Sequence, residues 1–263
     1  MSYFEVILLG LVQGIAEFLP ISSSGHLVIL ESLMGGHAEN LELNVALHFG
    51  SLLSILVVYR NDILPVLKQP KLMLAIIVAT LPIVVSGLLL KGLFETASTL
   101  PIAAGIGLCV TSLLLFITPR IDNGTRTLPE IRIRDAFVIG LFQAVAPWPG
   151  VSRSGSTIVA ALMMGVHRES AANFSFYIAV PALLGATVLT GKDLLSEGYQ
   201  ASTPLAAIVA GTVVSFVVGI LALKSLIRLI SARKLNWFAW YVLGVAWLTI
   251  VGSIMGWFGN NGA

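Results

Sequence analysis

Pro20-Ile21-Ser22-Ser23-Ser24-Gly25-His26 cuts an apolar run that otherwise extends over 4–36. A second interruption, Pro147-Trp148-Pro149-Gly150-Val151-Ser152-Arg153-Ser154-Gly155-Ser156-Thr157, cuts the run over 136–166. A hydrocarbon core about 30 Å thick needs roughly 20 apolar residues per helical span. The half-helices beside each break are too short for that. Irregular backbone at membrane depth persists only where it is buried in protein or lines a watery cavity. Both regions are therefore predicted to be re-entrant helix–loop–helix hairpins.

The hairpins resemble each other. A shift of 130 residues aligns 10–36 with 140–166 without a gap, and nine of the 27 positions are identical. These include Gly10/Gly140, Gln13/Gln143, Ser22/Ser152, Ser24/Ser154 and Gly25/Gly155. Shared apolar composition would give about two or three matches, so an internal duplication is the better reading. Six uninterrupted stretches, about 43–60, 72–91, 100–118, 170–190, 204–224 and 237–257, are long enough to span. Turn or charge signals separate them, among them Arg60-Asn61-Asp62, Lys91 to Thr99 and Gly191 to Pro204. Each half then holds one hairpin and three spans, and an odd number of spans inverts the second half relative to the first. The expected fold is an all-α integral membrane protein with six transmembrane helices and two re-entrant helix–loop–helix hairpins, arranged as an inverted-topology repeat. It forms one polytopic domain over 1–263, with repeats at about 1–119 and 131–258.

Charge placement fits this arrangement. Of the 15 basic residues, Arg153 lies in the second break, and Lys91 and Lys192 fall on the side of the termini. The other twelve (15 − 3 = 12) fall on the opposite face: Arg60, Lys68, Lys71, Arg120, Arg126, Arg132, Arg134, Arg168, Lys224, Arg228, Arg233 and Lys234. The positive-inside rule makes that face cytoplasmic and places both termini outside. Composition agrees: 57% of residues are hydrophobic and 11% charged, against roughly a quarter charged in a soluble domain. The single cysteine, Cys109, excludes a disulfide within the chain. Met1 to Pro20 lacks the basic start and cleavage site of a signal peptide and is expected to belong to the fold. Nothing points to a nucleic-acid partner.

Polar residues concentrate at the two breaks. Gln13 and Glu17, four apart, share one helix face and lead into Ser22, Ser23, Ser24, Gly25 and His26. The second break supplies Ser152, Arg153, Ser154 and Thr157. Brought together, these form a chamber suited to phosphate. Arg153 can bind phosphoryl oxygens bidentately, and the helices after Gly25 and Gly155 offer N-terminal N–H groups. A serine attacks phosphorus when a neighbouring base takes its proton, and His26 follows Ser23 by three residues. Glu17 could orient that histidine, act as the base, or hold a divalent cation with Gln13. Each residue also has a plainer reading. Small polar residues permit close helix packing, and Glu17 with Arg153 would serve as a structural ion pair. His48 reads as a hydrogen-bonded helix residue, His37 and His167 as solvated interface residues, Gln143 as a relic of the repeat, and Pro82 and Pro181 as kinks.

Gln13-x-x-x-Glu17-Phe-Leu-Pro-Ile-Ser-Ser-Ser-Gly-His26 and Pro149-Gly-Val-Ser-Arg-Ser-Gly-Ser-Thr157 resemble the two signatures of the bacterial undecaprenyl-diphosphatase (bacitracin-resistance) family. The resemblance runs along essentially the whole chain and includes Asn173-Phe-Ser-Phe176. It implies a bacterial inner-membrane enzyme that hydrolyses undecaprenyl diphosphate to the monophosphate and inorganic phosphate, recycling the lipid carrier of peptidoglycan synthesis. It also implies that Glu17, Ser23, His26 and Arg153 are the principal site residues. Gln13, Ser22, Ser24, Gly25, Ser152, Ser154 and Thr157 would bind substrate. A divalent cation, Mg2+ or Ca2+, is implied either with the diphosphate or at Glu17. Gln13 stands where some relatives carry glutamate, which puts a two-carboxylate metal site in doubt. A homodimer is left open. Two rival readings are a type-2 phosphatidic acid phosphatase and a flippase or transporter of polyprenyl phosphate. The first needs a later histidine, and none follows His167. The second draws on the transporter-like repeat.

Overall fold

The computed structural model describes residues 1–35, 41–194 and 203–258. Its helices are α1 (Tyr3–Ala16), α2 (Ser23–Leu33), α3 (Leu41–Val58), α4 (Arg60–Leu67), α5 (Pro70–Leu89), α6 (Lys91–Ser98), α7 (Pro101–Phe116), α8 (Thr118–Ile121), α9 (Ile133–Ala144), α10 (Arg153–Met163), α11 (Arg168–Leu194), α12 (Leu205–Ser231) and α13 (Leu235–Ile254). Among the described residues the regular structure is helical, apart from an isolated Arg126–Val166 bridge. His37 lies outside the described residues.

Five helical segments, α5, α7 running on through α8, α11, α12 and α13, are long and apolar enough to cross a membrane. The pair α3 and α4, bent by 78°, passes the same test only when the two are counted together, which gives five to six candidate spans among the described residues. Leu89, Leu113, Leu205, Leu221, Trp247 and Ile254 are each more than 60% exposed. A surface so apolar is stable in lipid and not in water. The chain is a multi-pass membrane protein.

Two stretches expected as loops are helical. Residues 60–67 form α4 and residues 91–98 form the amphipathic α6. Charges at 60–62 and 91 end the apolar spans, but the residues that follow are mostly good helix formers, and Pro65 in α4 and Gly92 in α6 do not stop them. The chain therefore bends and continues as short helices.

Starts and stops follow from local chemistry. Ser2 caps α1 by accepting from the Glu5 N–H at 3.3 Å, and Glu5 returns a 2.7 Å bond to the Ser2 N–H. Pro70 and Pro101 open α5 and α7, where a missing N–H costs nothing. In each interrupted region the chain forms a helix, an irregular turn and a second helix. The second helices, Ser23–Leu33 and Arg153–Met163, are offset by 130 residues. Both are followed by a glycine with positive φ, Gly35 at 99° and Gly165 at 74°.

Packing is exchanged between the halves. α1 lies along α12, with Gly10 and Gly14 against Gly211 and Ser215, and α9 lies along α5, with Gly140 against Ala79. Small residues on both seams allow backbone approach, the usual basis of helix association in lipid. The two breaks meet. A methyl group on Gly25 would stand 2.7 Å from the Gly150 Cα, so neither position has room for a side chain. Gly150 also has φ 87°, a conformation open to glycine at no steric cost.

Candidate active site

Each break ends in a serine that caps the helix it precedes. The Ser22 hydroxyl accepts from the Gly25 N–H at 3.3 Å, and the Ser152 hydroxyl accepts from the Gly155 N–H at 3.1 Å. The backbones differ at that point. Ser152 is extended with φ −73°, whereas Ser22 has φ 69°. For an L-residue the left-handed region costs roughly 1–2 kcal/mol. Strain of this kind is held only where the surroundings enforce it. Its consequence lies one residue on, where the Ser23 hydroxyl donates to Glu17 Oε2 at 2.7 Å.

Glu17 is the hub. Its carboxylate is 7% exposed and receives four groups from four segments. Arg153 Nη2 donates to Oε1 at 2.7 Å. Ser23 donates to Oε2, Gln13 Nε2 donates to the same oxygen at 3.2 Å, and His48 Nε2 stands 3.9 Å from it. Burying an ion pair is costly unless the remaining lone pairs are also satisfied, and here hydrogen bonds complete the carboxylate shell. α3 delivers His48. Its Nδ1 bonds the Asn44 carbonyl at 2.8 Å, so that nitrogen carries the proton and Nε2 faces Glu17.

A cavity of about 260 Å³ opens on this cluster. Glu17, Ser22, Ser23, Ser24, His48, Ser152 and Arg153 form its polar wall, and Ile83, Ala182 and Ala186 form part of its apolar wall. The other residues expected from the sequence lie off that wall. Gln13 grips Glu17 and Ser51 from behind. Gly25 packs against Gly150. Ser154 donates to the Leu19 carbonyl at 3.4 Å, and Thr157 pairs with Ser175 at 2.6 Å. These residues build the junction between the breaks.

His26 is displaced further. Its ring turns away from the cavity: Nδ1 bonds the Ser22 carbonyl at 2.8 Å, and Nε2 meets the Tyr241 hydroxyl at 2.9 Å. The expected Ser23–His26 pairing is therefore replaced by Ser23–Glu17. The reason is helical periodicity. A side chain three positions past Ser23 on α2 lies near its face, but the left-handed Ser22 rotates Ser23 toward α1 while His26 leans back over the preceding turn.

His48, expected as a hydrogen-bonded helix residue, makes that bond to Asn44 and also lines the cavity, whereas Tyr241 is not singled out by the sequence. An ionisable residue inside a membrane segment is a functional candidate by default, and that signal was present at His48. Nothing local marks Tyr241.

An apolar groove of about 440 Å³ continues from the cavity between α5 and α11, sharing Ile83, Pro147, Ala182 and Ala186 with it and ending at Lys91, Phe94 and Glu95 of α6. A second groove of about 510 Å³ on the other side of Pro181 shares no lining residue with the cavity.

The arginine-paired carboxylate, the hydrogen-bonded serine and the adjoining apolar groove make this cavity the candidate active site of a multi-pass membrane protein. Comparison with known proteins agrees. The chain belongs to the bacitracin resistance protein BacA family, whose sequence model matches residues 6–248. It is 44% identical to the undecaprenyl-diphosphatase of Rhodopirellula baltica, covering 94% of this chain and 96% of that protein. It is 40% identical to the undecaprenyl-diphosphatase of Alkaliphilus metalliredigens, covering 97% of this chain and all of that protein. The Halothermothrix orenii undecaprenyl-diphosphatase is 36% identical over 96% of this chain and 99% of that protein.

Proposed function

We propose that this protein hydrolyses undecaprenyl diphosphate to undecaprenyl phosphate and inorganic phosphate, and so returns the lipid carrier to cell-wall synthesis. The observation that carries the reading is the Ser23–Glu17–Arg153 cluster in a cavity continuous with an apolar groove. Ser23 Oγ attacks the terminal phosphorus and its proton passes to Glu17 Oε2. The bridging P–O bond breaks and the lipid monophosphate leaves with that electron pair. Arg153 clamps the phosphoryl oxygens; as it swings to the substrate, Glu17 becomes free to take the serine proton. Glu17 passes that proton to the departing lipid monophosphate. The restored carboxylate then takes a proton from water as the water oxygen attacks the phosphoserine. The P–O bond to Ser23 breaks, and Ser23 recovers the proton from Glu17 as inorganic phosphate leaves.

A divalent cation, Mg2+ or Ca2+, fits beside this cluster only with the substrate's help. Gln13 Oε1 is buried without a partner and lies next to Glu17. Among the described residues no group of three His, Cys, Asp or Glu could hold a metal alone. Glu17, which lines the cavity where Gln13 does not, would share the ion with the diphosphate oxygens, and the ion would neutralise phosphoryl charge.

The finer architecture belongs to the same reading. The two interrupted regions are re-entrant hairpins of an inverted repeat in the bacterial inner membrane, with both termini outside. The 130-residue offset, the matched serine caps and the exchanged packing support it. Single cysteines at the exposed Asn123 and Thr99, in a Cys109→Ala background, should react oppositely with an impermeant thiol reagent. Labelling of position 123 from outside intact cells would reverse the orientation.

Phosphate release by the purified protein from undecaprenyl diphosphate in detergent tests the function; a transporter releases none. The same assay tests the groove. A Cβ at Gly185 meets nothing within 4 Å, so Gly185→Leu fills the groove without a clash. Displacing about two methylenes of the chain at ~0.8 kcal/mol each lowers kcat/KM on the order of tenfold. A short prenyl diphosphate should be hydrolysed as before. Equal losses on both substrates would place the chain elsewhere.

A further inference from the structure

The hydrogen bonds around His26 fix the tautomer of its neutral ring. The Ser22 carbonyl can only accept, so Nδ1 carries the ring proton, and in the neutral imidazole Nε2 must accept. The Tyr241 hydroxyl then donates to Nε2. The result is a directed chain from Tyr241 through the ring to the Ser22 carbonyl. The rings of His26 and Tyr241 lie nearly parallel, 9° apart, with centroids separated by 5.7 Å.

The equivalent position in the second half shows what this chain is for. Ser152, with ordinary φ, accepts a 2.9 Å backbone bond from Ser156, whose own hydroxyl is buried without a partner. Ser22, in the left-handed region, receives a stretched 3.3 Å backbone bond from His26, and the His26 side chain adds a second bond at 2.8 Å to the same carbonyl. The histidine is present where the backbone is strained and absent where it is not. His26 also does not line the cavity that Ser22, Ser23 and Ser24 line.

We propose that His26 is a positioning residue and that Tyr241 completes it. Together they hold the left-handed Ser22 peptide that aims Ser23 at Glu17, and no proton of the reaction passes through the imidazole. Tyr241, on α13, is the distal anchor. Its helix is seated by Val242 and Ala246 in a cluster with Ile21 and Leu108. This inference rests on the phosphatase reading and deepens it.

The experiment compares His26→Asn, His26→Gln, His26→Ala and Tyr241→Phe in phosphate release from undecaprenyl diphosphate. Asparagine places an N–H near Nδ1 and can bond the Ser22 carbonyl, yet it cannot act as an acid or base near neutral pH. His26→Ala and His26→Gln should lose about 10²-fold in kcat, the scale of an ångström-sized misplacement, with KM little changed. His26→Asn should recover to within about tenfold of the wild type and keep the acid limb of the kcat/KM profile. Tyr241→Phe removes one hydroxyl and should lower kcat several-fold, with no further loss in the His26→Asn background because its acceptor is gone. His26→Asn as inactive as His26→Ala, in protein that stays monodisperse, would overturn the positioning role, as would wild-type kcat in Tyr241→Phe. A wild type that releases no phosphate defeats the phosphatase reading itself and is told apart by that result.

Discussion

Ser23→Ala is expected to abolish phosphate release while leaving substrate binding almost unchanged. The substitution removes the attacking oxygen and one 2.7 Å hydrogen bond to Glu17 and disturbs little else, because Ser23 opens α2 rather than filling its core. Arg153, which clamps the phosphoryl group when substrate is bound, is left untouched by the change. The loss should fall in kcat and not in KM, the signature of an interaction made only in the transition state. Rapid acid quench of the wild type should trap phosphate on the protein, and quench of the variant should trap none. Direct attack by water, with Ser23 only a hydrogen-bond donor, makes the opposite prediction. Ser23→Ala would then keep measurable turnover, and no phosphoprotein would appear in either protein. That outcome would reject the nucleophile while leaving the phosphatase standing.

The Glu17–Arg153 pair carries the second large effect, and it divides between activity and stability. Arg153→Lys keeps the charge but loses the planar fork, so kcat and KM should both worsen, with kcat falling about 10²–10³-fold. Arg153→Ala should also leave the Glu17 carboxylate buried and unpaired, since both side chains are nearly inaccessible at 11% and 7% exposed. Stripping one member from a buried pair costs about 3–5 kcal/mol, which a thermal unfolding curve in detergent would register. Glu17→Gln should remove the proton acceptor and lower kcat by about 10²–10⁴. Replacing both residues by glutamine separates the two contributions. Stability should largely return, because no uncompensated charge remains, while phosphate release stays lost. A double variant that recovers turnover would show the pair to be structural only.

These effects trace to a symmetry that the enzyme uses asymmetrically. Ser23 and Arg153 open their helices at positions related by the 130-residue shift, so in the proposed mechanism one turn supplies the nucleophile and its counterpart the clamp. Glu17, which serves both, has Pro147 as its counterpart. The two breaks meet where Gly25 approaches Gly150, and different side chains stand at the matched positions beside them.

Much of this was legible without coordinates. Apolar run length identified the spans, because hydrocarbon thickness fixes how many residues a helix needs. Pro20 with Ser22 to Gly25, and Pro147 to Gly155, marked the two breaks, because proline and glycine act on the backbone at their own positions. Glu17 and Arg153 stand out because charge is rare in such a chain, and Ser23 because it lies in a run of serines at a break. Which of them touch was decided elsewhere. The pairing of Ser23 with Glu17 depends on the left-handed φ of Ser22, a single backbone angle that residue identity does not specify. The hydroxyl that His26 meets instead of Ser23 belongs to Tyr241, 215 positions away on α13. The arrival of His48 depends on the seating of α3, where Ser51 meets Gln13 and Ser215. Local sequence determines what each segment is, because helix, break and burial are set within a few residues. The hydrogen-bond partners inside the cavity come from segments far apart in the chain, and only packing brings them together.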